Sequence, residues 1–323
     1  MCIRDSKKWI IENIQDHSKA LKTFFWSMKK EEIKKISLIG HRIVHWWEKF
    51  TKATKITPQV LKDLEKISYL APLHNPINIL WIKICQKVFP RITNIGVFDT
   101  SFHQSMKPEH FLYALPKSWY QKYGIRKYGF HGTSHYYLRD EYKKTQKKKT
   151  GKIITCHLGN GSSITLIQNG KVIDTSMGFT PTDGVIMSTR CGSIDPAIIP
   201  HMIKKAKLSP DAIFDIINKK SGLLALSEKT WDMKTLLETQ KKDPKAKLAI
   251  KIFINSVVKY IGSYAALANG VDAIIFSGWI GERSSYLRNE IKKNLTFLGK
   301  TKFLMIPTNE ELMIAKECLL LKK

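Results

Sequence analysis

Two arginines, several histidines and a few carboxylates lie beside short glycine-bearing segments in this chain, and together they have the makings of a phosphoryl-transfer centre. Arg42 is flanked by His41 and His45, Arg190 sits in the run 187–192 (MSTRCG) shortly before Asp195, and His131 and His135 bracket Gly132-Thr133-Ser134. Phosphoryl transfer asks little covalent chemistry of a protein. It needs a cationic clamp for three equatorial oxygens, a hydrogen-bond donor, a carboxylate and a metal site. Any one such Arg or His is more often a structural hydrogen-bonder, so it is the set that points to the reaction.

The glycine segments add a place for phosphate. In 157–163 (HLGNGSS) consecutive small residues separate two apolar runs, where backbone N–H groups and hydroxyls can be aimed at phosphate oxygens. Taken alone, that segment is equally an ordinary hairpin turn. The run 272–277, followed by Gly278-Trp279-Ile280-Gly281 and a helical stretch 282–293, predicts a strand, a loop and a helix, an arrangement suited to a nucleotide. There is no GxxxxGK[ST] Walker loop.

The elements that must position these residues are legible in outline. Apolar spacing predicts helices over 7–35, 57–71, 209–220 and 246–268, and strands over 36–39 and 95–98, with Gly40 ending the first strand and Asp99 closing the second. The segment 71–76 (APLHNP) reads as a loop. Three short β runs, 153–157, 163–167 and 171–174, separated by Gly159-Asn160-Gly161 and Asn169-Gly170, predict an antiparallel meander. Strands and helices alternate around it, so the class is α/β.

Composition excludes other classes. The formal charge of +27 would attract polyanions, but only eight of the 54 basic residues are arginine and the lysines are spread evenly. No nucleic-acid-binding motif accompanies them, so the surface is read as solvated and no nucleic-acid partner is expected. No apolar run reaches the ~18 residues of a membrane span, and no membrane partner is expected. The five scattered cysteines show no metal spacing and suit a reducing compartment, with the cytoplasm as the default.

Eight segments in order resemble the acetate kinase family: 40–45 (GHRIVH), 71–76 (APLHNP), 97–104 (VFDTSFHQ), 126–135 (RKYGFHGTSH), 153–163 (IITCHLGNGSS), 174–181 (DTSMGFTP), 189–197 (TRCGSIDPA) and 306–315 (IPTNEELMIA). The resemblance implies an actin-like (ribonuclease H-like) ATPase fold of two domains with a nucleotide cleft between them. It implies a first domain over 1–103, a nucleotide-binding domain over 104–312, and a last helix, 313–323, packing back on the first. The implied reaction is reversible transfer from ATP to acetate giving ADP and acetyl phosphate, with Mg²⁺ as cofactor and a homodimer as the assembly; the alternatives are a propionate or butyrate kinase relative and a catalytically impaired, truncated member of the family. Arg42 and Arg190 would hold the transferred group, His131 would bond to it in flight, and Asp99 would orient the charged cluster. Val44, Leu73, Phe130 and Pro181 would line the pocket for the acid's methyl group. His157, Leu158, Gly159, Asn160 and Gly161 would meet the nucleotide phosphates. Asp232, Met233, Lys234, Gly278, Trp279, Ile280, Gly281 and Arg283 would lie on the adenosine side, Glu310 would bind the metal, and His74 would support the site.

The chain also departs from the family pattern. The opening hairpin, N-x-G-S-S-S-x-K, has no counterpart, so the first strands of the N-terminal domain are expected to be missing, and residues 1–6 match nothing. Trp46-Trp47 stand where the family has two glycines. Trp279 and Arg283 replace a glycine and an asparagine in the adenosine loop, where a bulky ring would obstruct the nucleotide or stack on its base. Asp183 replaces a glutamate, Ser188 a glycine, and the connection from Leu298 to Ile306 is short.

Overall fold

In the computed structural model the described residues are 30–45, 47–48, 50–68, 75–146 and 151–321. Most of the predicted helix 7–35, Trp46, Leu73 and His74 lie outside them. The chain divides into two compact units. One runs to Phe98 and takes in Ile314 onward; the other spans Asp99–Met313.

The first unit contains β1 (Leu38–Ile43), β2 (Thr54–Lys55), α1 (Pro58–Lys66), α2 (Asn75–Val88) and β3 (Thr93–Phe98). Its sheet order is β1-β3-β2, parallel between β1 and β3 and antiparallel at β2. Thr57 caps α1 by accepting from the Val60 amide, and Pro58 occupies the first turn, where its missing N–H costs nothing. Pro76 plays the same part in α2, so Asn75 and Pro76 of the predicted loop are helical, and 71–74 lie outside the described residues.

The second unit contains α3 (Gly132–Thr145), then β4 (Lys152–Leu158), β5 (Ser162–Gln168) and β6 (Lys171–Thr175). It continues with α4 (Pro210–Lys219), α5 (Gly222–Ser227), α6 (Met233–Thr239), α7 (Pro244–Leu267), β7 (Ala273–Ser277), α8 (Gly278–Arg283), α9 (Ser285–Lys293) and β8 (Lys302–Met305). The last helix, α10 (Glu310–Leu320), begins in this unit and ends in the first. The sheet order is β6-β5-β4-β7-β8. The predicted meander is its antiparallel half, and β4, β7 and β8 run parallel. Asn169 and Gly170 both have positive φ, 51° and 82°, as a tight two-residue hairpin turn requires.

This sheet is buried on both faces, and the strands alternate accordingly. Ile154, Cys156, Leu158, Ile274 and Phe276 face α7 in one core cluster, while Ile153, Ala273 and Ile275 meet Leu138 and Tyr142 of α3 in another. No helix among the described residues is long and apolar enough to cross a membrane.

Two expectations fail locally. Gly40 does not end β1; it pairs with Ile95 in mid-strand. It is glycine because α10 lies close: an added Cβ would stand 2.8 Å from Ile314 Cγ2 and 2.9 Å from Cys318 Sγ. Likewise 278–281 is no loop. α8 starts directly at the end of β7, and a break at Ser284 separates it from α9. Gly278 has φ +75°, and a Cβ there would meet the Leu158 carbonyl oxygen at 2.7 Å, so the main-chain path itself demands glycine.

Gly40→Ala is expected to destabilise the protein by about 1–3 kcal/mol, the usual cost of overpacking a filled site. Denaturant unfolding checks this; a variant as stable as the parent would mean that α10 does not press on β1.

Candidate functional site

The second unit gathers the candidate residues where α3, the β4–β5 turn and the 187–190 turn meet. His131 precedes α3 with φ +55°, a left-handed conformation that a non-glycine residue adopts at a cost. The following amide, Gly132 N–H, donates to the Asp99 carbonyl at 2.9 Å. A Cβ on Gly132 would lie 2.1 Å from that oxygen, so only glycine allows the helix to start this close to Asp99. Thr133 Oγ1 then donates to Glu310 Oε2 at 3.1 Å and lies 3.5 Å from Asp99 Oδ1, placing one hydroxyl between two carboxylates. Asp99 itself is buried.

Histidines line the same place. The His131 and His157 rings lie 4.3 Å apart, and His157 Nδ1 shares a hydrogen bond with Ser134 Oγ at 2.8 Å. Ser134 Oγ is also 2.8 Å from Thr308 Oγ1. His135 is buried between Thr155 Oγ1 and Ser163 Oγ, each at 2.7 Å, and Ser163 Oγ is in turn 2.9 Å from His131 Nδ1. His103 donates through Nε2 to the Phe130 carbonyl at 2.9 Å. Burial holds His135 far below the ordinary histidine range, and the neighbouring His103 and His157 add to the effect. Burial brings His103 down to about 4.

The β4–β5 turn brings His131 and Arg190 to one place. The Cβ that Gly161 lacks would lie 3.1 Å from His131 Nε2 and 3.5 Å from an Arg190 guanidinium nitrogen. Arg190 also donates to the Pro181 carbonyl at 3.2 Å, and burial lowers its pKa from the usual arginine value; a guanidinium remains charged regardless. Its turn is clamped by α5, whose Leu223 and Leu224 amides donate to the Met187 and Ser188 carbonyls at 2.9 and 3.0 Å. Gly222 permits this approach, since a Cβ there would meet the Met187 oxygen at 2.2 Å. Asn160 is tied to the same turn, its side chain and carbonyl both accepting from Ser188 at 3.2 Å.

Other candidates fall elsewhere. Arg42 is exposed on β1 of the first unit. Val44 is buried there, with its amide donating to Asn78 Oδ1. The side chains of Leu158, Met233 and Ile280 belong to the hydrophobic core. Asp232 caps α6 by accepting from Thr235, and Lys234 is exposed. Trp279 is 56% exposed, and the Arg283 guanidinium lies 3.3 Å from its ring centroid. The two departures from the family in this segment therefore contact each other in a cation–π stack. Trp47 has φ +48°, so a tryptophan bears the conformational strain that a glycine would avoid.

Several residues were not legible as site members. Glu282 accepts at Oε1 from the Gly278 and Thr308 amides, both at 3.0 Å, and from Ser277 Oγ at 3.2 Å, joining the ends of β7 and of the 306–309 segment. Thr133, Ser134 and Ser163 lie within the quoted motifs, but nothing in their spacing says which histidine or carboxylate each will meet. Among the described residues no group of three or more His, Cys, Asp or Glu is arranged to hold a metal.

Imidazoles that stay neutral when folded make stability fall in mild acid. An unfolded histidine binds a proton below a pH of about 6.5, whereas folded His103 does so only at about 4. Each such group costs up to about 1.4 kcal/mol per pH unit as pH drops through that interval. Urea midpoints are therefore expected to fall steadily from pH 7 to 5, with a shallower fall for His103→Gln. A midpoint independent of pH would contradict neutral buried rings.

Comparison with known proteins shows the family and the fold. A model of the Acetokinase family matches residues 2–302, taking in residues 2–6, which the motifs leave outside the resemblance. The acetate kinase of Carboxydothermus hydrogenoformans is 47% identical over 335 aligned residues, covering 94% of this chain and 84% of the relative. The crystal structure of Porphyromonas gingivalis acetate kinase matches with a TM-score of 0.89 and 34% identity, covering 97% of this chain and 86% of the other. A propionate kinase from Francisella tularensis gives 0.89 and 39%, covering 94% and 83%. The fold is thus α/β and two-domain actin-like, and the chain belongs to the acetokinase family.

Proposed function

We propose that this protein is an acetate kinase, transferring a phosphoryl group reversibly between ATP and acetate to give ADP and acetyl phosphate. The observation that carries the reading within this chain is the approach of His131 Nε2 and the Arg190 guanidinium to the side-chain-free face of Gly161. A planar guanidinium with a permanent charge and a ring nitrogen are the groups a migrating phosphoryl needs, and the small turn leaves it room. The membership of the acetokinase family supplies the reaction class.

In this reading the acetate carboxylate attacks the γ-phosphorus of ATP in line, and charge spread over the equatorial oxygens is met by Arg190 and His131. Arg42 is assigned the second guanidinium on the strength of the motif that carries it. Asp99 orients the charged cluster, and the 157–161 segment meets the nucleotide phosphates through main-chain N–H groups. Val44, Leu73, Phe130 and Pro181 are assigned to the methyl group, and Gly278, Gly281, Trp279 and Arg283, with Asp232 and Lys234, to the adenosine side. We assign the first and second units to the N-terminal and nucleotide-binding domains, and expect a homodimer in the cytoplasm.

The donor set suits Mg²⁺. Glu310 and Asp99 are oxygen donors gathered about the Thr133 hydroxyl, too few to enclose an ion but enough for one that keeps waters and phosphate oxygens. When bound, the ion neutralises phosphate charge; Glu310 would hold it directly or through water.

Acetyl phosphate formed from ATP, acetate and Mg²⁺, trapped as the hydroxamate, tests the assignment. Arg190→Ala is expected to lower turnover at least ~10²-fold, the scale of losing a preorganised charge donor. Unchanged turnover would remove Arg190 from the mechanism. Glu310→Gln is expected to raise the Mg²⁺ concentration needed for half-maximal rate about tenfold. A Mg²⁺ titration that superposes on the parent's would free Glu310 from that role.

A further inference from the structure

The hydrogen bonds behind His131 run as a single file into the interior. His131 Nδ1 meets Ser163 Oγ at 2.9 Å, Ser163 Oγ meets His135 Nε2 at 2.7 Å, and His135 Nδ1 meets Thr155 Oγ1 at 2.7 Å. Ser163, His135 and Thr155 are each fully buried. Each hydroxyl has one proton to give, and a neutral imidazole has one N–H. The protons along the file must therefore all point the same way. Outward, Thr155 donates to His135, His135 donates to Ser163, and Ser163 donates to His131 Nδ1. Inward, every bond reverses, and Thr155 must send its proton elsewhere.

The distances distinguish the two directions. The inward order leaves Thr155 Oγ1 donating to the Thr165 carbonyl at 3.4 Å, a long and weak bond. The outward order gives up only that contact and keeps three bonds of 2.7–2.9 Å. His135 takes part as a neutral ring in either order, as its burial requires.

We propose that Thr155, His135 and Ser163 form a directional relay that fixes the tautomer of His131, keeping Nδ1 as acceptor and the proton on Nε2. Nε2 is the ring nitrogen that faces the space beside Gly161, which the Arg190 guanidinium also approaches. A neutral His131 then presents an N–H to an anionic group without adding a second positive charge beside Arg190. Which ring nitrogen carries the proton is set by what the other nitrogen bonds, so Thr155, three hydrogen bonds from His131, is a positioning residue. The consequence for catalysis rests on the proposed phosphoryl role of His131; the tautomer itself does not.

Nitrogen NMR of the histidine-labelled protein reads the tautomer directly, with His131 assigned by the signals that vanish in His131→Gln. The expected result is an Nδ1 resonance of the unprotonated type and an Nε2 resonance of the protonated type; the opposite pattern overturns the proposal without needing any variant to fold. Thr155→Val, nearly isosteric, is expected to move His131 toward the Nδ1–H form. It should also lower kcat about tenfold with KM within about twofold, the scale at which groups orienting an imidazole act. Thr155→Ser keeps the hydroxyl and is expected to restore both readouts. A His131 tautomer unmoved by Thr155→Val also overturns the relay. A tautomer that shifts as expected while acetyl phosphate turnover stays at the parental rate upholds the relay and withdraws His131 from the proposed reaction.

Discussion

The start of α3 sits against the Asp99 carbonyl with no room for a side chain at Gly132, and the arrangement around the site follows from that contact. With the Gly132 amide bound there, His131 is turned into the left-handed region and its ring is directed at the β4–β5 turn. The next residues then fall into place within one helical turn. Thr133 lies between Asp99 and Glu310, Ser134 reaches His157 and Thr308, and His135 points inward to Ser163 and Thr155. A peptide hydrogen bond contributes only about 1 kcal/mol net. Its weight here is geometric, since it sets the direction of four successive side chains.

The sheet of the second unit provides what the helix start presses against. Its faces are covered by α7 on one side and α3 on the other, and β4, β5 and β7 send apolar side chains into both cores. Polar residues enter only where they have partners. Thr155, Ser162, Ser163 and Thr165 are all buried in β4 and β5, and each is hydrogen-bonded. An unmade bond in such surroundings costs more than a made one returns. Full pairing of this network is therefore a condition for the sheet to carry a polar site at all. The turns at 159–161 and 187–190 lie at the edge of that network and are held by main-chain bonds, so the Arg190 guanidinium is carried by a braced backbone.

The segment from β7 into α8 illustrates how a departure from a family pattern is accommodated. Gly278 keeps the left-handed φ and the close approach to Leu158 that the strand-to-helix path demands. Trp279 stands at the next position, where the backbone asks for nothing special, and its ring lies at the surface under Arg283. Glu282 meanwhile gathers the Gly278 and Thr308 amides. The backbone geometry of the segment is preserved by the residues that bond to it, while its exposed face has become aromatic and basic.

From sequence alone, the α/β class, the meander, the long helix over 246–268 and the candidate arginines and histidines were legible, because period, turn chemistry and residue type act locally. Motif order placed the family, since eight short segments in sequence do not recur by chance. Three-dimensional proximity was not legible. Gly40 looked like the end of a strand and is a strand interior made thin for α10, a helix nearly three hundred residues away in the chain. The 278–281 run looked like a loop because glycines break helices on average, yet here one of them begins a helix. Residue types named His131 and Arg190 as chemistry. Only tertiary structure decided that Ser163, His135 and Thr155 would stand in file behind the first, because hydrogen-bond partners across a sheet depend on register and helix placement, which no local pattern encodes.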